Sequence, residues 1–428
     1  MENQNNEAIN FGRSLIVPSV QELAKQSITK IPPRYVRQDN QKPLFKSSDD
    51  TSTLSVPVID LHTLFSTDPG SSTYSSELNK LHTAAKEWGF FQVINHGISE
   101  SLLEDFKREV LSFFKLPMEE KQKLWQKEDS HEGFGQLFVV SEEQKLDWCD
   151  LFYVITLPHN LRKSQLFQNL PPVLRKKLEA YSTEIKKLAK GILGEMAKAL
   201  GIEGEEMSEL FDDGVQSIRM NYYPPCPEPE SAFGVSPHSD AGGLTILYQL
   251  TETEGLQVRK DRKWVSVKPL PNALVVNIGD IMEIVSNGVY KSIEHCATVQ
   301  STKDRLSVAT FYTSNMGLEV GPARSLVAQH NVANYRRVMF EEYYKSFFAR
   351  KLEAKTYLSL NVKSKSENAQ GELEKKRVRR EQTPTGDDRK RIVSATSEGI
   401  DFTDLSVFDP YDNKLHHLED AHGGATRD

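Results

Sequence analysis

The sequence predicts an α+β protein in which a mainly helical first half leads into a β-rich core of sandwich or barrel type. Two observations carry this expectation. From about 172 to 200, apolar residues recur at spacings of three and four, the period of one helix face. From about 214 to 320 the pattern changes to short apolar runs separated by Gly, Pro, Asn or Asp, as many short strands require.

Five regions follow in order. Residues 1–50 form an N-terminal arm in which Ser19 and Glu22 resemble a capping box opening a brief helix. Ile31-Pro-Pro33 is expected to end that helix, because proline cannot continue the hydrogen-bond ladder. Residues 51–212 form the mainly helical region. Within it, Val56-Pro-Val-Ile-Asp60 and Gly89-Phe-Phe-Gln-Val-Ile94 read as strands, with Leu78, Leu81, Ala85 and Trp88 at helical spacing between them. The longest helix, from about 172 to 200, sets Leu174, Leu178, Tyr181, Ile185, Leu188, Ile192 and Met196 on one face, a stripe that reads as core-facing.

Residues 213–320 form the β core, with apolar runs at 218–223, 244–250, 256–258, 264–267, 273–278 and 306–312. Residues 321–360 form a C-terminal helical segment. A helix from about 331 to 352, bearing Tyr335, Val338, Phe340, Tyr343 and Phe347, is expected to pack against the outside of the core. Residues 361–428 are polar, with basic clusters Lys375-Lys-Arg-Val-Arg-Arg380 and Arg389-Lys-Arg391 before an acidic, Gly-rich end. Such a composition reads as a disordered tail. The first basic run also has the form of a nuclear-import signal, although a solvated segment is the plainer reading.

Composition narrows the function classes. A formal net charge of −7 gives no reason to expect nucleic acid or an anionic membrane as partner, and a small molecule fits better. Cys149, Cys226 and Cys296 are too few and too scattered for a disulfide framework or a thiolate zinc site. Residues 1–10 lack the apolar run of a signal peptide, and no stretch approaches the ~18 apolar residues that span a bilayer. A reducing, cytoplasmic setting is the expectation.

The chemistry concentrates at Pro237-His238-Ser239-Asp240. Residues i and i+2 of an extended strand point to one face, so His238 and Asp240 offer an imidazole and a carboxylate to one point. His295, at the end of a strand-like run over 289–294, supplies a third donor. Two histidines and one carboxylate that leave open positions are the donor set of non-haem iron(II) oxygenases. An H-x-D alone is weak evidence, and a lone strand histidine is more often packed or on the surface.

Arg305-Leu-Ser307 changes that balance. It lies ten residues after His295, and strand parity puts its guanidinium and hydroxyl together. A planar, permanently charged fork suits a carboxylate. In Asn221-Tyr-Tyr-Pro-Pro225, Asn221 and Tyr223 share a face and can donate hydrogen bonds to a dicarboxylate, with Tyr222 turned to packing. Phe311 keeps the parity of Arg305, and pattern alone allows it either the substrate side of the pocket or the core.

The ordered set of Asn221-Tyr-Tyr-Pro, His238-Ser-Asp240, Asn277-Ile-Gly-Asp280, Ser286-Asn-Gly288, His295 and Arg305-Leu-Ser307 resembles the plant 2-oxoglutarate/iron(II)-dependent dioxygenases. Trp88-Gly-Phe-Phe-Gln-Val-Ile-Asn-His-Gly97 is similar to the family's N-terminal signature. Within the family, Val17-Pro-Ser-Val-Gln-Glu-Leu-Ala24, Pro32-Pro-Arg-Tyr-Val36 and Leu146-Asp-Trp148 resemble the senescence-related, codeine and thebaine O-demethylase-like branch.

The resemblance implies a double-stranded β-helix, or jelly roll, flanked by N-terminal helices and one long supporting helix. The helices around 100–200 would support the barrel and close one side of its mouth. It also implies Fe(2+) on His238, Asp240 and His295, with 2-oxoglutarate as co-substrate, O2 as oxidant and ascorbate as reductant. Arg305 and Ser307 would take the distal carboxylate, Asn221 and Tyr223 would contact the co-substrate, and Phe311 would touch the organic substrate. No catalytic residue beyond the metal centre is expected. The reaction would hydroxylate or O-demethylate a small specialised metabolite or hormone-like molecule, releasing succinate and CO2. The sequence does not reveal the oligomeric state, and a monomer is the expectation. His96 reads as structural, and Cys296 stands where related sequences often carry arginine. Two alternatives stand beside this reading: an iron oxidase that does not use 2-oxoglutarate, and an inactive homologue that only binds a small ligand.

Overall fold

The structure, a computed structural model, describes residues 14–38, 54–127, 130–330, 332–352, 355–359 and 361–363. Both basic clusters, and the tail from 364 onward, lie outside the described residues.

In chain order, α1 (Val20–Lys25) precedes β1 (Val58–Asp60), α2 (Leu61–Ser66), α3 (Ser72–Glu87), β2 (Phe90–Ile94), α4 (Glu100–Phe114) and α5 (Met118–Gln122). Next come β3 (Gly133–Gly135), β4 (Asp150–Leu157), α6 (Ser164–Gln168), α7 (Pro172–Leu200) and α8 (Gly204–Phe211). The β-rich part runs β5 (Gln216–Tyr223), β6 (Phe233–His238), β7 (Leu244–Gln249), β8 (Leu256–Lys260), β9 (Lys263–Ser266) and β10 (Leu274–Ile278). After α9 (Asp280–Val285) come β11 (His295–Thr298) and β12 (Arg305–Tyr312). The chain continues through β13 (Glu319–Val320), α10 (Arg324–His330), β14 (Val338–Met339), α11 (Phe340–Phe348) and α12 (Thr356–Ser359).

Two sheets build the core. The larger has the order β1-β2-β10-β7-β12-β5-β4-β3, and the smaller β6-β11-β8-β9. They pack through Phe90, Leu247, Val275 and Ala309 of the larger sheet and Leu256, Val258 and Val265 of the smaller. This is the jelly-roll arrangement the resemblance implies. Four strands of the larger sheet, β1 to β4, come from the region read as mainly helical. β4 is buried along nearly its whole length, so it lacks the alternation that marks a half-exposed strand in sequence.

The outer face of the larger sheet is covered by helices. α7 buries the predicted stripe and lies against β4, β7 and β12 as well as α3 and α4. It starts with Pro172 at its first position and stops at Gly201, whose φ of 66° ends the helix in the left-handed conformation.

The arm is tied to the same sheet. Ser19 Oγ accepts from the Glu22 N–H and donates to Asp150 of β4, while the Val20 and Gln21 N–H groups donate to the same carboxylate. Thus α1 begins on a buried acid as well as on its own cap. It ends at Lys25, ahead of the prolines expected to stop it, because the chain turns at Ser27 with φ 50°. Among the described residues no helix is long and apolar enough to cross a membrane.

Candidate active site

β6 ends at His238, β11 begins at His295, and antiparallel pairing sets the two residues directly opposite each other. Their rings lie 4.2 Å apart. Asp240 lies past the end of β6, in the turn towards β7. Its Oδ1 is 3.5 Å from His238 Nε2 and its Oδ2 is 3.7 Å from His295 Nε2. One donor atom from each residue lies within 4.8 Å of the others, and all three residues are buried.

The convergence expected from strand alternation therefore arises in another way. Asp240 is aimed by a turn, and His295 opens a strand instead of closing one, since 289–294 is an irregular link. Cross-strand pairing brings His295 to the site, and sequence spacing does not reveal it.

Surrounding groups hold the three side chains in ligand form. Nδ1 of His238 faces the Ser236 carbonyl at 2.8 Å, and Nδ1 of His295 faces that of Ile293 at 3.1 Å. Protons placed there leave each Nε2 lone pair directed to the shared point. Thr245 Oγ1 and Asn277 Nδ2 donate to Asp240 Oδ2 at 2.6 and 2.7 Å. Burial raises the Asp240 carboxyl, but His295, His238 and Thr245 outweigh it and hold it well below the usual carboxylate range. Burial and the neighbouring His238 push His295 down to about 4.

The Asp240 turn rests on Gly279, where a Cβ would stand 2.1 Å from the Gly242 carbonyl oxygen; only glycine allows that approach. His238 Nε2 is buried and has no hydrogen-bond partner among the described residues. A buried imidazole nitrogen left unpaired beside a carboxylate and a second imidazole fits a divalent cation.

Strand parity sets the adjoining wall. β5 and β12 pair so that Arg305 faces Tyr223, Ser307 faces Asn221, Ala309 faces Arg219 and Phe311 faces Ser217. Arg305, Ser307, Asn221 and Tyr223 all border one cavity with the triad. Arg305 is buried, and its Nη2 donates to Gln249 Oε1 at 3.1 Å. Its guanidinium lies 5.2 Å over the Tyr223 ring and, among the described residues, makes no ion pair and leaves Nε without a partner. A buried cation so placed fits an incoming carboxylate. Tyr222 turns the other way and stacks on Phe114.

A second compartment lies on the other side of His238 and Asp240. Phe311, Phe138, Tyr344, Phe347 and Phe348 line it. α11 therefore faces this cavity with part of its surface instead of packing wholly outside the core. It starts at Phe340, later than the sequence pattern suggests, and the chain around Tyr335 is not helical. Nor do the long helices close the mouth. The 137–138 turn and α11 form the rim, while α7 lies behind the larger sheet. Phe138 adopts φ 63° and stacks on Phe348 at 5.1 Å, held by Gln144 Nε2 donating to its carbonyl at 2.7 Å. A left-handed phenylalanine costs about 1–2 kcal/mol, strain of a kind that clusters at functional sites.

The sequence reading gave no role to Thr245, Gln249, Arg219 or, Phe311 apart, the aromatic rim, and named Asn277 only as part of a motif. Asn277 and Thr245 carried a signal, being polar residues inside apolar runs that become buried strands. Arg219 carried one too, at the same parity as Asn221.

Fold, donor set and carboxylate-accepting wall together define a non-haem iron oxygenase of jelly-roll type. The model of the 2OG-Fe(II) oxygenase superfamily matches residues 214–314, and that of the non-haem dioxygenase N-terminal region in morphine synthesis matches 56–172. The chain is 53% identical to Protein SRG1 of Arabidopsis thaliana over 81% of its length and 96% of that protein. It is 51% identical to oxoglutarate-dependent flavonoid 7-O-demethylase 1 of Ocimum basilicum, over 82% of this chain and 92% of the other. The crystal structure of JOX2 in complex with 2OG, Fe and JA matches with a TM-score of 0.74 and 33% identity, covering 82% of this chain and all of that one. The chain belongs to the 2OG-Fe(II) oxygenase superfamily and is a 2-oxoglutarate- and iron(II)-dependent dioxygenase acting on a small molecule.

Proposed function

We propose that His238, Asp240 and His295 hold the ferrous ion, and that Arg305 holds the distal carboxylate of 2-oxoglutarate with Ser307, Asn221 and Tyr223 beside it. The observation that carries this reading is a buried His238 Nε2 and a buried Arg305 Nε in one cavity, neither with a hydrogen-bond partner among the described residues. Bound iron supplies the centre at which oxidative decarboxylation of 2-oxoglutarate, giving succinate and CO2, activates O2 for attack on a C–H bond.

The protein's own groups do the rest. Thr245 and Asn277 orient Asp240, and the two backbone carbonyls hold the imidazoles in one tautomer. Gln249 fixes the Arg305 fork. Phe311 and the rim aromatics of the 137–138 turn and α11 position the organic substrate and exclude water. The substrate is a small organic molecule that is hydroxylated or O-demethylated; an O-methyl group hydroxylated on carbon yields a hemiacetal that loses formaldehyde. The demethylating relative supports the second outcome. Monomeric, cytoplasmic action without a nucleic-acid or membrane partner belongs to the same proposal, and the net charge of −7 supports the exclusion of anionic partners.

The test is a metabolite panel with purified enzyme, Fe(II), ascorbate and carboxyl-labelled 2-oxoglutarate. Substrate-dependent labelled CO2, matched by succinate and lost in His238→Ala, is the expected result. Oxygen consumption that needs substrate but no 2-oxoglutarate would instead point to the co-substrate-independent oxidase.

A further inference from the structure

Two buried guanidinium groups face the cavities, and the co-substrate accounts for only one. Arg219 lies on β5 opposite Ala309 of β12 and Tyr153 of β4, so strand parity directs it inward. It is 9% exposed and borders both the co-substrate compartment and the aromatic one. Its Nε is buried without a partner, and among the described residues the guanidinium makes no hydrogen bond or ion pair. Its one contact of note is with Phe311, whose ring centroid lies 5.5 Å from the guanidinium carbon. An unpaired buried cation is strongly unfavourable, and among the described residues no anion or hydrogen-bond acceptor offsets it, the Phe311 ring aside.

Charge counting points the same way and rests on the function proposed above. Metal-bound imidazoles are neutral. Asp240 and the two carboxylates of 2-oxoglutarate balance a ferrous ion together with Arg305. Arg219 then remains as a single uncompensated positive charge in the loaded site, on the side lined by the aromatic rings of Phe311, Tyr344, Phe347 and Phe348, against which a flat ring packs best.

We infer that Arg219 receives an oxyanion of the organic substrate, so that the enzyme selects planar, ring-bearing molecules carrying a carboxylate or a phenolate. A guanidinium serves both, since either oxygen accepts its charge-assisted hydrogen bonds.

The experiment uses the full chain loaded with Mn(II) and 2-oxoglutarate, which permits binding without turnover. Ligand-observed NMR compares 4-methoxycinnamate with its methyl ester, and 4-nitrophenolate with 4-nitroanisole, in the native protein, Arg219→Met and Arg219→Lys. The native chain is expected to favour at least one anion over its neutral partner by tenfold or more, and the arm that does so separates carboxylate from phenolate. Arg219→Met abolishes that preference, and Arg219→Lys keeps part of it. A second readout excludes a merely structural role: without ligands, Arg219→Met melts at or above the native temperature, because an unpaired buried charge has been removed. Equal binding of anions and neutral partners, no binding of either anion, or a lowered melting temperature in Arg219→Met would overturn the inference. So would a more than tenfold loss of 2-oxoglutarate affinity in that variant, which assigns Arg219 to the co-substrate. Failure of the native chain to bind 2-oxoglutarate would break the underlying reading instead.

Discussion

The two compartments that flank His238 and Asp240 are built on different principles. On the proposed co-substrate side, Arg305, Ser307, Asn221, Tyr223 and Gln249 stand on three hydrogen-bonded strands whose register fixes where each side chain starts. On the other side, the lining comes from a turn, from Arg219 and Phe311 at the sheet and from α11, segments distant in sequence. Polar recognition of an unvarying keto acid needs rigid, preorganised donors. Recognition of an organic substrate needs a surface that can vary without disturbing the metal. On the proposed reading, the constant chemistry lives in the sheet, and specificity is shared between Arg219 and Phe311 on the sheet and what is laid over its mouth.

Substitutions can break or sharpen that contrast. The largest effect, after loss of a triad residue, is expected from Arg305→Lys. Losing one charge-assisted hydrogen bond, worth about 1.5–3 kcal/mol, raises the KM for 2-oxoglutarate roughly 10- to 150-fold. The KM for the organic substrate, measured with saturating 2-oxoglutarate, is expected to stay within a few-fold. Asn277→Ala comes next: freeing one donor from Asp240 Oδ2 should weaken Fe(II) affinity about 10- to 100-fold, read by metal titration. Phe348→Leu inverts the pattern of Arg305→Lys. It is expected to alter substrate KM several-fold and to raise 2-oxoglutarate consumption not coupled to product, with the KM for 2-oxoglutarate unchanged. Equal shifts in both KM values for either variant would erase the proposed division.

The smallest effect concerns what lies behind the substrate side. His131 packs against Phe348 at 4.9 Å, and next to it Glu132 is buried, its Oε1 accepting from the Ile155 N–H at 2.9 Å. Burial pushes the Glu132 carboxyl up to about 7. The folded state therefore keeps a proton that the unfolded chain releases near pH 4.5. Stability from this group is present at low pH, falls as pH rises through that interval, and levels off above 7, a loss on the order of 1–3 kcal/mol. Glu132→Gln cannot ionise and should melt higher than the native chain at pH 8. The two melting temperatures should converge by pH 5.

The same contrast explains what the sequence disclosed. Strand period is two, so Arg305 with Ser307, and Asn221 with Tyr223, could be assigned to shared faces from spacing alone. α7 was legible because its stripe is long and regular. β4 was not, since a strand covered on both faces shows no alternation. His295 was found by residue type and order, while the reason it meets His238 lies in pairing across 57 positions. Phe311 was assigned to the substrate through the family resemblance, but the rest of the aromatic rim was invisible for a related cause. Phe138 and Phe348 join Phe311 only after three separate segments fold together, and each of the two alone reads as ordinary core.

The central claim is that two imidazoles and Asp240 present iron to an arginine-anchored keto acid. Anaerobic titration of the purified chain with Fe(II) and 2-oxoglutarate tests it most directly, because a 2-oxo acid chelated to ferrous iron produces a visible charge-transfer absorption. The band is expected in the native protein, at higher 2-oxoglutarate concentrations in Arg305→Lys, and not at all in Asp240→Ala. A native chain without the band, or an Asp240→Ala variant that retains it undiminished, would contradict the account.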